Sequence, residues 1–368
     1  MLDKLKAHAI LFFLLLLTVP FIYGCSNGNT GSESEIVSTA RPAQLKLTCF
    51  YGTNVPILGD NVVYLAKRVE LASAGNIKFK LFDPGKLVGP MEVLDAVSSG
   101  KIEAGYSTPG FWMGMMPAAP LFSAVPFGPD ASEYLAWFLA GNGMKLYQEM
   151  YDRSEFNVKV LLMAIIPPES SGWFSEKIES VEDLNGLKMR FFGLGGRVMQ
   201  KLGVSVNILP GGEIFPALEK KVIDATEFSM PVIDENMGFH KLAKYNYFPG
   251  WHQQATAFEL LINKDVWNNL SSTQQVVIEM ACRDTIVHSI ATGEASQAAV
   301  LQRNEMKHGV EILSWQPEII EAYREKWLEV VEEQTATDPF FKKVWEDYSD
   351  FRKQYSTWGS KAYLPRSR

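Results

Sequence analysis

The chain has 368 residues, a formal net charge of -7, 47% apolar residues and three cysteines. That length is enough for two domains with cores of their own, and the apolar fraction is that of an ordinary globular protein. The mild acidity argues against a nucleic-acid partner, which needs a basic face.

The first residues read as a targeting segment. Lys4 and Lys6 precede an apolar run over residues 9–23 that is too short to span a bilayer with ease. It ends Ile22-Tyr23-Gly24-Cys25, which resembles a bacterial lipobox, in which the cysteine becomes the lipidated first residue. Tyr23 departs from that pattern, so plain secretory cleavage and a permanent anchor stay open. Residues 26–43 are rich in Ser, Gly, Asn and Thr and read as a flexible tether. Of the remaining cysteines, Cys49 lies in a strand-like run and Cys282 in a helical one. Two buried free thiols are the expectation, since two cysteines make no disulfide framework.

Apolar alternation predicts strands over residues 45–51, 77–83 and 104–107, with helices over 61–73 and 91–99 between them. This β–α–β–α–β order implies a parallel sheet. Residues 108–128 follow, dense in Pro, Gly, Met and aromatics, and suit a pocket wall or a buried core loop equally. A helix over 132–151 and an apolar strand over 158–165 lead into the second half.

There the richest stretch is 187–228. A strand over 187–192 carries Arg190, a turn with Gly193, Gly195 and Gly196 follows, and then come a helix over 198–202 and a strand over 204–209. A helix near 215–221 and a strand over 223–228 that bears Glu227 complete the unit. Open sheets of this kind place ligands at the carboxyl ends of their strands, where a guanidinium is a fork for a carboxylate or phosphate. Glu227 beside it implies a cation or an orienting partner. The glycines do not complete a dinucleotide fingerprint and read as a tight turn. Further on, 236–254 is aromatic-rich and 257–263 is a strand that returns to the first domain. Ser271 or Ser272, with Gln274 or Gln275 three residues on, opens a helix to about residue 307, about 50 Å long at 1.5 Å per residue. Pro317 separates it from two amphipathic helices over 318–333 and 339–358 that carry Trp327, Trp345 and Trp358.

The segment GLKMRFFG…G…LG…PGGEIFPALEKKVIDATEF resembles the solute-binding proteins of TRAP transporters, the DctP-type extracytoplasmic receptors. DAVSSGKIEAGYS (95–107), AVPFG (124–128) and YFPGW (247–251) agree, the last resembling the branch that binds 2-oxo and 2-hydroxy monocarboxylates. The resemblance implies an α/β, two-domain periplasmic-binding-protein clamshell with mixed, mostly parallel sheets, a long bridging helix and extra C-terminal helices. Domain I would comprise 44–165 plus 255–285, domain II 166–254, and 286–368 the end of the bridging helix and the C-terminal helices. It implies that Arg190 takes the ligand's carboxylate. Glu169, Glu227 and the carbonyl of Phe228 would hold a bridging Ca²⁺ or Na⁺. Trp251 with Tyr106, Phe111 and Trp112 would form an apolar wall. A TRAP permease is the implied membrane partner, and the C-terminal helices either hold a homodimer or pack on the body.

Four positions depart from the family's pattern. Glu169 stands where the keto-acid binders have a glutamine, with Ser171 in place of a following glycine. Gln253 stands where they often have a second carboxylate, and Phe228 where they have tryptophan. A negative charge thus moves from 253 to 169, a change that favours Ca²⁺ over Na⁺. The competing readings are a secreted lyase or hydrolase with Glu169 or Glu227 as base, and a binding protein for an ABC importer. No G-x-S-x-G elbow or P-loop occurs, and none of the five histidines sits at an i, i+4 spacing with another.

Overall fold

Leu45, Leu47 and Cys49 alternate inward along β1 (Ala43–Cys49), the central strand of the first parallel run in a computed structural model that describes residues 41–364. The leader and the lipidation expectation at Cys25 lie outside the described residues, as does most of the tether. After β1 come α1 (Leu58–Ala72), β2 (Ile77–Phe82), α2 (Val93–Ser98) and β3 (Ala104–Ser107). The predicted helix over 132–151 is two helices, α3 (Ala131–Ala140) and α4 (Gly143–Arg153), separated at Gly141 and Asn142. Strand β4 (Val158–Ile166) then crosses towards the second lobe.

In that lobe the order is β5 (Gly172–Phe174), β6 (Lys188–Arg190), α5 (Gly193–Lys201), β7 (Ser205–Asn207), α6 (Gly211–Glu219), β8 (Ala225–Thr226), α7 (Pro231–Met237) and β9 (Tyr245–Phe248). Strand β10 (Thr256–Asn263) returns to the first sheet and is followed by α8 (Lys264–Asn269), α9 (Ser272–His308), β11 (Glu311–Ser314), α10 (Pro317–Thr337) and α11 (Pro339–Ala362).

Two mixed sheets result. The first runs β2-β1-β3-β10-β4, with β1 parallel to both neighbours and β10 antiparallel to β3 and β4. Every residue of β10 is buried, as a strand covered on both faces requires. The second runs β11-β9-β5-β8-β6-β7. Strands β5, β9 and β11 are absent from the sequence reading. Each has three or four residues, too few for a period-2 signature, and each exists because distant partners supply its ladder.

The long helix has 37 residues. It starts as expected at Ser271, whose Oγ accepts from Gln274 N (3.2 Å) while Gln274 Oε1 accepts from Ser271 N (2.9 Å). Its first half is bound to α1, where Asn61 Nδ2 donates to Ser289 Oγ at 3.0 Å. Its second half is bound to α7, where Arg303 reaches Glu235. Between them Gly293 faces Pro167, and a Cβ there would lie 2.6 Å from the proline Cδ. The lone glycine of the helix is therefore set by the close passage of the interlobe crossover.

The C-terminal helices pack on the body. Tyr323 of α10 stacks on Trp251, with centroids 4.4 Å apart. On α11, Asp347 accepts from Trp137 Nε1 of α3 (2.9 Å). Cys49 and Cys282 are buried free thiols.

Candidate functional site

Burial of charge organises the region between the sheets. Arg190 closes β6 at 1% exposure and Glu227, just past β8, is fully buried. Arg190 Nη1 donates to Glu227 O (2.7 Å) and Oε1 (2.6 Å), and its Nε donates to Leu209 O (3.1 Å). Phe192 N also donates to Glu227 Oε1, at 2.6 Å. Burial by itself would push the Glu227 carboxyl up, but the Arg190 charge, His252 and the Phe192 N–H outweigh it and hold it below the usual carboxylate range. Its other oxygen, Oε2, has no hydrogen-bond partner.

Glu169 lies in the crossover after β4. Its Oε1 accepts from Thr256 Oγ1 (2.7 Å) and Gln253 Nε2 (3.1 Å), while its Oε2 is buried and unpartnered. Burial, and then the Glu227 charge, raise its carboxyl well above the usual range. Gly250 makes this packing feasible, since a Cβ there would lie 2.3 Å from Glu169 O. Gln253 Oε1, Ser229 Oγ and both ring nitrogens of His252 are likewise buried without hydrogen-bond partners. The nearest contact of His252 is Nε2 to Glu227 Oε2 at 3.5 Å, long for a hydrogen bond.

Glu169, Glu227 and His252 each offer a ligand atom within 4.8 Å of the others, the one such group of His, Cys, Asp or Glu among the described residues. Several orphaned buried oxygens facing one another are costly unless an ion or ligand joins them. The donor set fits a cation.

The adjoining cavity is lined by Tyr51, Leu58, Thr108, Phe111, Thr256 and Phe258 of the first lobe, and by Arg190, Phe192, Phe228 and Ser229 of the second, with Glu169 and Gln253 at the crossovers. It is small, with a volume of about 20 Å³. The rings of Phe111 and Phe192 meet across it at 4.6 Å.

Of the expected residues, Arg190, Glu169, Gln253, Phe111 and Phe228 line the cavity, and Glu227 stands behind Arg190. Three expected wall residues lie elsewhere. Trp251 packs between Phe127 and Tyr323. Tyr106 lies behind Tyr51. Trp112 donates its Nε1–H to buried Glu259 at 2.9 Å. The indole of Trp112 needs a buried acceptor, and Glu259 on β10 supplies one away from the cavity. Tyr51, Thr256, Phe258 and His252 were missed. For His252 the one sequence signal was its place beside Trp251 and Gln253, because its partners are distant in the chain.

Three comparisons bear on this geometry. Residues 53–338 match the model of the family described as bacterial extracellular solute-binding protein, family 7 (DctP). A monocarboxylate 2-oxoacid-binding periplasmic protein of Nostoc sp. is 36% identical over 294 residues, 80% of each chain. The crystal structure of a TRAP transporter solute-binding protein from Bordetella bronchiseptica superposes with a TM-score of 0.85 at 28% identity, covering 88% of this chain and 95% of that one. It is a mixed-occupancy dimer with copurified calcium and picolinate in one active site. A TRAP periplasmic solute-binding protein from Pseudoalteromonas atlantica with bound sodium and pyruvate gives a TM-score of 0.83 at 30% identity, covering 88% and 97%.

Proposed function

The chain belongs to the DctP family of solute-binding proteins, and from that premise we propose that it binds a 2-oxo or 2-hydroxy monocarboxylate in the interlobe cavity through a bridging cation, Ca²⁺ or Na⁺. It is an extracytoplasmic receptor for small organic acids, not an enzyme, and it hands its ligand to a TRAP permease. The observation that carries the proposal is the pair of unpartnered carboxylate oxygens, Glu169 Oε2 and Glu227 Oε2, held beside Arg190 at a cavity that both lobes line.

In this reading Glu169, Glu227 and the carbonyl of Phe228 hold the ion, which supplies positive charge to the ligand's carboxylate and 2-oxygen. Arg190 takes the carboxylate, with Gln253 and Phe111 shaping the remaining wall. Charge balance admits either ion, with Glu169 in a different protonation state for each. Arg190, two ionised glutamates, a dication and a monocarboxylate sum to neutrality, whereas Na⁺ requires Glu169 to keep its proton. The Nostoc relative, bearing a 2-oxoacid-binding name, supports the ligand class. A thermal-shift screen of 2-oxo, 2-hydroxy and dicarboxylic acids, with Ca²⁺ and with chelator, tests it. A rise with a 2-oxo monocarboxylate that chelation removes is expected; a rise indifferent to chelator removes the ion from the reading.

Three finer points rest on less. We take 44–165 with 255–285 as one ligand domain and 166–254 as the other, with 286–368 the end of the bridging helix and the C-terminal helices. Anchoring through a lipidated Cys25 rests on the leader alone, and Cys25→Ser should then release the protein from the membrane fraction. Homodimerisation is supported by Trp358, 64% exposed on α11, and by the Bordetella dimer. Light scattering after size exclusion tests it, and a monomeric mass at all concentrations refutes it.

A further inference from the structure

The cavity wall holds a hydroxyl for which the proposed function has no use. Ser229 follows Phe228 in the loop between β8 and α7, lines the cavity from the second lobe and is 2% exposed. Its Oγ has no hydrogen-bond partner. The two threonines of the same wall each have an acceptor in the protein: Thr108 Oγ1 donates to Ala257 O (2.7 Å) and Thr256 Oγ1 to Glu169 Oε1 (2.7 Å). Earlier in the same segment, Thr226 Oγ1 donates to Glu227 O (2.8 Å), the local bond to backbone that short hydroxyl side chains readily make. Ser229 makes none.

The backbone that carries this hydroxyl is fixed. Ser229 N donates to Asp234 Oδ1 (3.1 Å), and Ser229 O accepts from Ser170 N (3.2 Å). Asp234 Oδ2 accepts in turn from Trp173 Nε1 (2.8 Å) and Ser170 Oγ (3.2 Å). All four residues are buried. The clamp ties the loop of Phe228 to the crossover of Glu169, so Ser229 is held in place with both backbone groups satisfied and the side chain unmatched. Burying an unmatched hydroxyl is costly, and alanine would avoid that cost. The fold therefore keeps a donor that the unliganded protein does not need.

Arg190 leaves work for such a donor. Its Nε and Nη1 are committed to Leu209 O and to Glu227, so two of its three nitrogens serve the protein and one is left for the acid. The other unmatched groups of the wall, Glu169 Oε2 and Gln253 Oε1, are acceptors and suit the cation. The acid's carboxylate and 2-oxygen are acceptors as well, and a hydroxyl beside Arg190 is the complement they lack.

We propose that Ser229 is a ligand-binding residue of the second lobe, whose hydroxyl donates to an oxygen of the bound acid. This rests on the proposed function and adds a donor to its site.

The test is calorimetric titration of the mature protein with pyruvate in excess Ca²⁺, in wild type, Ser229→Ala and Ser229→Cys. Cysteine keeps nearly the same shape and is a weak donor. Both variants should bind pyruvate about tenfold more weakly or worse, the loss expected for a hydrogen bond to a charged acceptor. Ca²⁺ titrated without acid should bind all three proteins alike. The melting temperature of unliganded Ser229→Ala should equal or exceed that of wild type, because the unmatched hydroxyl is gone.

Pyruvate affinity in Ser229→Ala within about twofold of a wild type that binds normally overturns the inference and leaves the proposed function standing. A lowered melting temperature of unliganded Ser229→Ala also overturns it, since the hydroxyl would then be structural. So does loss of Ca²⁺ binding without acid, which would make Oγ a ligand of the ion. Folded wild type that binds neither pyruvate nor lactate with Ca²⁺ or Na⁺ removes the proposed function, and this inference with it.

Discussion

Arg190 is held by Glu227 and two backbone carbonyls, so its removal has two separable effects. Arg190→Ala removes the proposed partner of the ligand's carboxylate and leaves the Glu227 charge buried and unpaired, at a cost of about 3–5 kcal/mol. Calorimetric unfolding should show that loss, and acid binding should disappear even where the protein is folded. Retained affinity would make Arg190 purely structural. Glu169 and Gln253 touch at 3.1 Å, so the exchange of charge between these positions has a direct test. Glu169→Gln together with Gln253→Glu should bind better than the sum of the two single losses predicts, by a coupling of about 0.5–3 kcal/mol; additive losses would end the idea. Arg190 and Glu227 were legible in the sequence as charged groups near the ends of apolar strand runs, whereas Glu169 and Gln253 came only from the family resemblance. Tyr51, Thr256 and Phe258 were not legible, because which way a residue at a strand end faces is decided by pairing with strands far along the chain.

Helix α9 shows which kind of element a sequence announces. A capping box and a run without proline marked its length, and the structure, which closes it at Gly309 in the left-handed conformation, differs from the expected end by about one residue. The break between α3 and α4 falls at Gly141-Asn142-Gly143, a turn signal in the sequence that the reading of one helix over 132–151 passed over. Strands β5, β9 and β11 are made by long-range pairing and leave little local trace. Two substitutions test α9 itself. Ser271→Ala removes the acceptor for Gln274 N and should destabilise by about 1 kcal/mol, read as a fall in melting temperature. Gly293→Val forces a side chain against Pro167 and should destabilise by about 1–3 kcal/mol. An unchanged melting temperature in Gly293→Val would show that the crossover can retreat at no cost.

At the scale of the molecule, the cavity exists only where the two lobes meet. A ligand that contacts both favours the closed arrangement, since only that state offers all its partners. Small-angle scattering should therefore record a smaller radius of gyration when ion and acid are both present, and no change for Arg190→Ala. The clamshell was legible from the rhythm of strands and helices together with the family resemblance. The tightness of the cavity was not, because it depends on how Phe111 and Phe192 meet across the gap.

The C-terminal pair adds a mechanical consequence. Helix α10 is fastened to the second lobe through Tyr323 on Trp251, and α11 to the first through Asp347 on Trp137, with Asp338 capping the joint between them. The pair is a splint laid across the hinge, in parallel with α9. A splinted hinge opens through a narrow angle, so the bound acid leaves through a crack instead of a gape, and its dwell time is set by how far the Asp338 elbow yields. Two glycines inserted after Asp338 should accordingly speed release in stopped-flow chase experiments while shifting the melting temperature little; an unchanged release rate would mean that the splint carries no load.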